Sequence, residues 1–224
     1  MFFHHEATGP IEFWFTDRSL DLRRHHDPKI EGSLVAATGV GAVATMNQVH
    51  GSDVAWMSGD ADRPDADAMF TDQASLGLLV RVADCLPIVL AAPDDGLVGV
   101  VHCGRVGLVA GVVPAAVESL RERGAGRLQA WLGPRVCGRC YELPADMADE
   151  VAAAVPEARS TTSWGTPAAD IGAGAMAQLR SRDVDIRDIG ADVCTVADQR
   201  FFSHRRDGSE AGRFGAVAVL RDHR

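Results

Sequence analysis

Two apolar runs, LGLLVRVADCLPIVLAA at residues 76–92 and LVGVVHC at 97–103, constrain the fold more tightly than any other feature of the chain. Apolar stretches of strand length, bounded by turn residues, are the mark of strands buried within a sheet. Asp95-Gly96 stands just before the second run, and this dipeptide is a tight-turn signal that predicts a hairpin. Enclosing such a hairpin takes a large core. A length of 224 residues, 46% of them hydrophobic, supplies that core by burial alone, with no need of a disulfide framework. No stretch rich in Pro, Gly or Ser divides the chain, so one domain over residues 1–224 is expected.

Further strands are predicted for IEFWFT at 11–16 and AVATMNQVH at 42–50, with Gly39, Gly41 and Gly51 as punctuation. Residues 21–35 carry the charged LRRHHDPK stretch and show no clear core face, which reads as a loop with at most one helical turn. Residues 60–72, rich in Asp, Ala and Pro, read as an exposed connection. Helical spacing over 108–126 predicts one helix of about four turns stopped by Gly124, followed by a strand, LQAWLG, at 128–133. Ala-rich helical patterns follow at 144–155 and 168–182, joined by a polar loop. The last third holds VCTVA at 193–197, RFFSHRRDG at 200–208 and RFGAVAVLR at 213–221, two of which read as strands flanking a polar loop. Clustered strands with helices set between the clusters predict an α+β fold.

Composition removes several functions. A formal net charge of −9 is the wrong sign for a phosphate backbone, so nucleic acid is not an expected partner. The densest basic run, His204-Arg205-Arg206, is too short for a nucleic-acid stripe, but it suits one small anion. No apolar run reaches the ~18 residues of a membrane span, and the amino-terminal segment has no basic region before an apolar stretch. A cytoplasmic protein without a membrane partner, monomeric or weakly homo-oligomeric, is expected. Its five cysteines, at 85, 103, 137, 140 and 194, are then thiols or ligands rather than disulfides.

Three residues carry the chemistry best. His50, Cys85 and His102 each fall where an apolar strand gives way to a turn, and two imidazoles with a thiolate form a donor set suited to zinc. Their wide separation excludes a local finger, so only the fold could assemble them. Isolated strand-end His and Cys are, however, more often plain core or surface residues than ligands. Cys103 points to the opposite face from His102 if the strand runs through it. Cys85 could instead serve as a nucleophile beside His and Arg. Cys137-Gly138-Arg139-Cys140 has no second pair at ribbon spacing and is read as incidental, and Asp65 and Asp67 are read as members of a solvated turn. Neither a phosphate-binding glycine loop nor a serine elbow is present.

An ordered set of short motifs between residues 42 and 220 resembles the YfiH-like laccase-domain family. The set comprises Gln48-Val49-His50-Gly51, Ala66-Asp67-Ala68, Ala83-Asp84-Cys85-Leu86-Pro87, Val101-His102, Gly133-Pro134, Cys140-Tyr141-Glu142 and Cys194-Thr195. It ends with Phe201-Phe202-Ser203-His204-Arg205-Arg206-Asp207 and Gly212-Arg213. The resemblance implies mixed sheets packed between helices, zinc on His50, Cys85 and His102, and phosphorolysis of adenosine, inosine and related nucleosides, with adenosine deamination as a companion. Copper-dependent phenol oxidation is also attributed to the family, but one His₂Cys site lacks the further ligands that four-electron oxidase chemistry needs. Editing of peptidoglycan precursors by hydrolysis is the main alternative, and a metal-stabilised small-molecule-binding protein without turnover is another.

In that reading Arg205 or Arg206 holds phosphate, and Asp84 is a candidate proton carrier beside Cys85. The chain also departs from the family pattern. Where His-Ala-Gly-Trp-Arg-Gly is usual, it has His102-Cys103-Gly104-Arg105-Val106-Gly107, so the aromatic is lost and the arginine moves by one. A turn at Gly104 would bring Arg105 back toward the substrate anion. The family's early Arg-x-Gly-Gly-x-Ser and Asn-Leu-Gly elements are absent as well, Thr16-Asp17-Arg18-Ser19 and Asp21-Leu22-Arg23 standing in their place.

Overall fold

A computed structural model describes residues 1–25 and 27–222. In chain order the elements are β1 (Phe2–Thr8), β2 (Ile11–Thr16), α1 (Pro28–Thr38), β3 (Ala42–Thr45), β4 (Val54–Trp56), β5 (Ala68–Thr71), β6 (Leu76–Val82), β7 (Leu86–Ala92) and β8 (Leu97–Cys103). There follow α2 (Arg105–Ala110), α3 (Val112–Glu122), β9 (Leu128–Leu132), α4 (Ala145–Ala154), β10 (Arg159–Thr161), β11 (Pro167–Ala169), α5 (Ile171–Arg180), β12 (Val184–Asp188), α6 (His204–Asp207) and β13 (Phe214–Leu220). One sheet has the order β1-β2-β13-β6-β3 and the other β12-β9-β7-β8-β5-β4, each mixing parallel and antiparallel pairs. The two sheets lie face to face between helices, the α+β layering expected from the sequence.

Period-two alternation explains the layers. Along β7, Leu86, Ile88 and Leu90 join the core under α2 to α5, while Val89 and Ala91 face the other sheet. Along β13, Phe214, Ala216 and Ala218 fill the space between sheets, and Val217 and Val219 pack outward against Leu34 of α1. Both faces of these strands are covered, which is why they read as continuous apolar runs rather than alternating ones. The β7–β8 hairpin forms as predicted, with Ala92 opposite Leu97 and Leu86 opposite Cys103.

Several elements differ from expectation, each for a local reason. The stretch read as a loop at 21–35 contains most of α1, started by the Asp27 carboxylate accepting from Lys29 N–H and by Pro28 in the first turn. Gly39 ends that helix at φ 66°. The single helix expected at 108–126 is broken by Gly111, whose φ of 85° closes α2 before α3 begins. The strand expected to reach His50 stops at Thr45, because the Gln48 side chain replaces the ladder by bonding Arg81 N–H and C=O on β6. VCTVA is a turn carrying an isolated bridge from Cys194 to Arg135, and His204–Asp207 is helical. Residues 66–71, expected on the surface, are buried.

Candidate active site

The turns at one end of the two sheets build the site. β6 leaves the first sheet at Val82 and β7 enters the second at Leu86, so residues 83–85 cross between layers in a tight turn. Asp84 takes a left-handed φ of 86° there, and its carboxylate accepts from Thr195 Oγ1 at 2.6 Å and from Arg205 N–H at 2.7 Å. Cys85 is thereby delivered to the rim of the inter-sheet space. His102, next to last on β8, points into the same space, while Cys103 turns to the helix-side core as alternation requires.

His50 arrives from the loop after β3, and a single buried carboxylate fixes it. Asp67 Oδ1 accepts from His50 N–H at 3.0 Å and from His102 Nδ1 at 2.7 Å. Asp67 Oδ2 accepts from Gly51 N–H at 2.6 Å and Val49 N–H at 3.2 Å. Those bonds hold His50 at φ 62°, a conformation that costs a non-glycine residue energy and here turns the imidazole over His102 with ring centroids 4.7 Å apart. With Nδ1 committed to Asp67, Nε2 is the His102 atom left to meet the thiol.

One ring nitrogen of each His and the Cys85 sulfur lie within 4.8 Å of one another. Glycine at residue 104 eases this approach, since a Cβ there would sit 3.0 Å from Cys85 Sγ and 3.1 Å from His50 Cδ2 and the ligand side chains would have to shift. Burial by itself would raise the Cys85 thiol, but the charge and hydrogen bond of His102, followed by those of His50, bring it down to about 6. Burial likewise disfavours the His102 imidazolium, yet the Cys85 thiolate and the Asp67 carboxylate lift it to about 9. Asp67 stays below its usual range despite burial because His102 and the backbone N–H groups of residues 50 and 51 stabilise its charged form. Two imidazoles and a thiolate, with an outer carboxylate on one imidazole, are donors that fit a zinc ion.

This cluster opens on a cleft of about 580 Å³, a size suited to a small molecule. Five arginines line it, Arg63, Arg81, Arg105, Arg205 and Arg213, together with Asn47, Tyr141 and His204. Arg81 is the most strained electrostatically. Its Nη1 meets His25 Nδ1 at 2.9 Å, its Nη2 donates to Met46 C=O at 3.1 Å, and its buried Nε has no partner among the described residues. Burial, then repulsion from Arg63 and Arg213, pulls its guanidinium down to about 10. A cationic cleft in a chain of net charge −9 concentrates field on an anion.

The structure sorts the sequence candidates. His50, Cys85 and His102 come together, and Arg105 and Arg205 line the cleft. Arg105 does so because α2 starts at Gly104 and ends the strand alternation, as the turn required, with Glu150 3.6 Å from its guanidinium. Arg205 lies over the Tyr141 ring at 5.0 Å. Arg206 must be corrected. Its guanidinium binds Asp207 and the carbonyls of Thr195, Val196 and Phe201, so it braces the polypeptide and is absent from the cleft lining. Asp84, the candidate proton carrier, has both oxygens engaged and anchors the Arg205 segment. Asp67 is not a solvated turn residue but the anchor of two candidate ligands. Arg63, Arg81 and Arg213 also line the cleft; the first two are single arginines that carry no pattern, and Arg213 was legible only as a member of the Gly212-Arg213 motif, without a role. Cys137 and Cys140, read as incidental from spacing, are joined in space by Cys194 in a second cluster.

The layers and the His–Cys–His cluster define a mixed-sheet α+β protein with a fold-assembled candidate metal site beside a cationic cleft. The chain belongs to the YfiH-like family described as multi-copper polyphenol oxidoreductase laccase, whose family model matches residues 29–221. It is 51% identical to a purine nucleoside phosphorylase of Streptomyces griseus over 181 residues, 78% of this chain and 73% of that one. Over 198 residues it is 44% identical to a purine nucleoside phosphorylase of Mycobacterium tuberculosis, covering 84% of this chain and 76% of the relative. A Neisseria meningitidis protein superposes with a TM-score of 0.85 at 27% identity, covering 99% of both chains. YlmD of Geobacillus stearothermophilus shares the fold with a TM-score of 0.87 at 24% identity, again over 99% of both. Membership of this family supports an enzymatic role. No helix among the described residues is long and apolar enough to cross a membrane.

Proposed function

We propose that the protein is a zinc-dependent purine nucleoside phosphorylase whose cleft holds phosphate and a nucleoside beside the His50, Cys85 and His102 site. The observation that carries this reading is the group of arginines around Arg81, a partly desolvated cation with no carboxylate ion partner among the described residues and a buried N–H left unpaired. Such a group favours a bound anion, because neutral partners compensate a partly buried cation less well than an opposite charge does. The relatives named for this activity support the nucleoside half.

In phosphorolysis a phosphate oxygen forms a bond to C1′ as the C1′–N9 bond breaks, and the purine leaves with the bonding pair and takes up a proton. The arginines neutralise and orient phosphate in the cleft, leaving little for the protein to do beyond positioning and charge stabilisation. Tyr141, backed by Arg205, offers an aromatic face to the base. His50, Cys85 and His102 would hold zinc, which when bound would supply Lewis-acid chemistry beside the cleft. Asp67 holds His102 and the His50 loop, and Asp84 holds Arg205.

Product analysis tests the proposal. Purified protein given adenosine should yield adenine and ribose 1-phosphate only when phosphate is supplied. Inosine released with or without phosphate would identify the companion deamination. Neither product at high enzyme concentration overturns the nucleoside reading in favour of precursor editing or of binding without turnover. Cys85→Ser should lower zinc content and turnover together.

A further inference from the structure

The cysteines outside this site are also organised. Cys137 and Cys140 sit on a turn in which Cys140 N–H and Tyr141 N–H both donate to Cys137 C=O, at 3.0 and 3.1 Å. Cys194, 57 residues beyond Cys137, is brought to them by its bridge to Arg135, closed by Thr195 N–H donating to Arg135 C=O at 3.0 Å. The three sulfurs lie within 4.8 Å of one another, all partly buried and all unoxidised. The turn is closely packed. A Cβ on Gly138 would fall 2.6 Å from Ser160 Oγ and 2.7 Å from Asp170 Cβ, so the C-x-x-C backbone is pressed against its neighbours.

A backbone donor reaches one of these sulfurs. Cys137 N–H points at Cys194 Sγ at 3.4 Å, and Ala197 N–H donates to the Cys194 carbonyl at 3.0 Å, fixing the turn that presents the sulfur. N–H groups aimed at sulfur stabilise thiolate, the form that binds metal. Three sulfurs gathered this closely, with a backbone donor aimed at one of them, match the donor set of a tris-thiolate site. With Zn–S bonds of about 2.3 Å, a tetrahedral ion holds its sulfurs roughly 3.8 Å apart, inside the observed limit.

We propose that Cys137, Cys140 and Cys194 form a second metal site, a thiolate-only centre for a zinc-class ion, distinct from the His50, Cys85 and His102 cluster. Binding replaces the remaining S–H protons by S–Zn bonds and releases those protons to solvent. Three thiolates and Zn²⁺ leave a net charge of −1 and a fourth position for water. The centre is a clamp on the cleft wall. Cys140 precedes Tyr141, which stacks with Arg205, and Cys194 precedes Thr195, which bonds the same Asp84 that holds Arg205 N–H. Its existence does not depend on the purine reading.

Metal content of the reduced full chain, loaded with zinc in slight excess and desalted, provides the test. Two zinc ions per chain are expected in the parent, one in Cys85→Ser, one in Cys194→Ser, and none when both are changed. Cobalt added to metal-free Cys85→Ser should give near-ultraviolet sulfur-to-cobalt charge transfer and the visible bands of tetrahedral cobalt. Should Cys194→Ser fold poorly, zinc protection of thiols in the unmutated chain gives the same answer, with four cysteines shielded rather than one. A single zinc in the parent, with no thiolate–cobalt bands in Cys85→Ser, overturns the proposal. So does a disulfide among these three cysteines that forms in preference to metal uptake under reducing conditions.

Discussion

Asp67→Asn is the most informative single change, because it preserves shape and removes only charge and one acceptor. All the hydrogen-bond partners of the carboxylate are donors, His102 Nδ1 and His50 N–H on one oxygen, Gly51 and Val49 N–H on the other. An asparagine can keep its oxygen on only one of these pairs, and its NH₂ group then faces two N–H groups in a buried setting. Hydrogen bonds to a charged acceptor contribute about 1.5–3 kcal/mol each, and orphaning one side of a buried charged pair costs about 3–5 kcal/mol. The lower half of that range is expected here, since the His50 loop is exposed and can relax. For a chain of this size that corresponds to a fall in Tm of roughly 10 °C in the metal-free protein. Zinc affinity, measured by chelator competition, should drop roughly 10- to 100-fold as His102 loses its orienting carboxylate. A variant with parental zinc affinity and a Tm within about 2 °C of the parent would refute the assignment of Asp67 as the anchor of both imidazoles.

Three further outcomes follow from the same geometry. In metal-free protein, alkylation of Cys85 followed by peptide mass should rise through a midpoint near pH 6 rather than 9, and His102→Gln should move that midpoint upward. Thermal stability will report this poorly: the lowered Cys85 value contributes stability that is lost as pH falls from 9 through 6, while the raised His102 value contributes stability lost as pH rises from 6.5 through 9, so the slopes oppose. Arg105→Ala should keep full zinc content but weaken phosphate or nucleoside use by about 1.5–3 kcal/mol in kcat/KM, and Arg105→Trp with Val106→Arg should raise turnover if the cleft prefers the common family arrangement. Arg206→Ala should lower Tm while sparing the Michaelis constant for phosphate, and Arg205→Ala should do the reverse; the opposite pairing would return Arg206 to the anion site.

The layers were legible in the residue pattern. Strands buried on both faces are apolar at nearly every position, so 76–82, 86–92, 97–103 and 214–220 announce themselves, and a tight turn between two of them sets the hairpin. Short or weakly patterned elements did not, as α1 shows: it buries only Leu34 and Thr38, so its one-sided core face is drowned by the charged run before it. His50, Cys85 and His102 were legible as strand-end donors, but their convergence was not, because it depends on the crossing turn at Asp84, the left-handed backbone at His50 and the absence of a Cβ at Gly104. Asp67 and Arg81 illustrate the same limit from opposite sides. A carboxylate in an Asp- and Ala-rich stretch reads as solvated until the fold surrounds it with donors, and an arginine inside an apolar strand reads as an exception until four others from distant segments share its cleft. The three thiols at 137, 140 and 194 were half visible as a C-x-x-C pair. Their third member comes from the far side of α5 and β12, and only tertiary structure, which acts on distance in space rather than along the chain, could supply it.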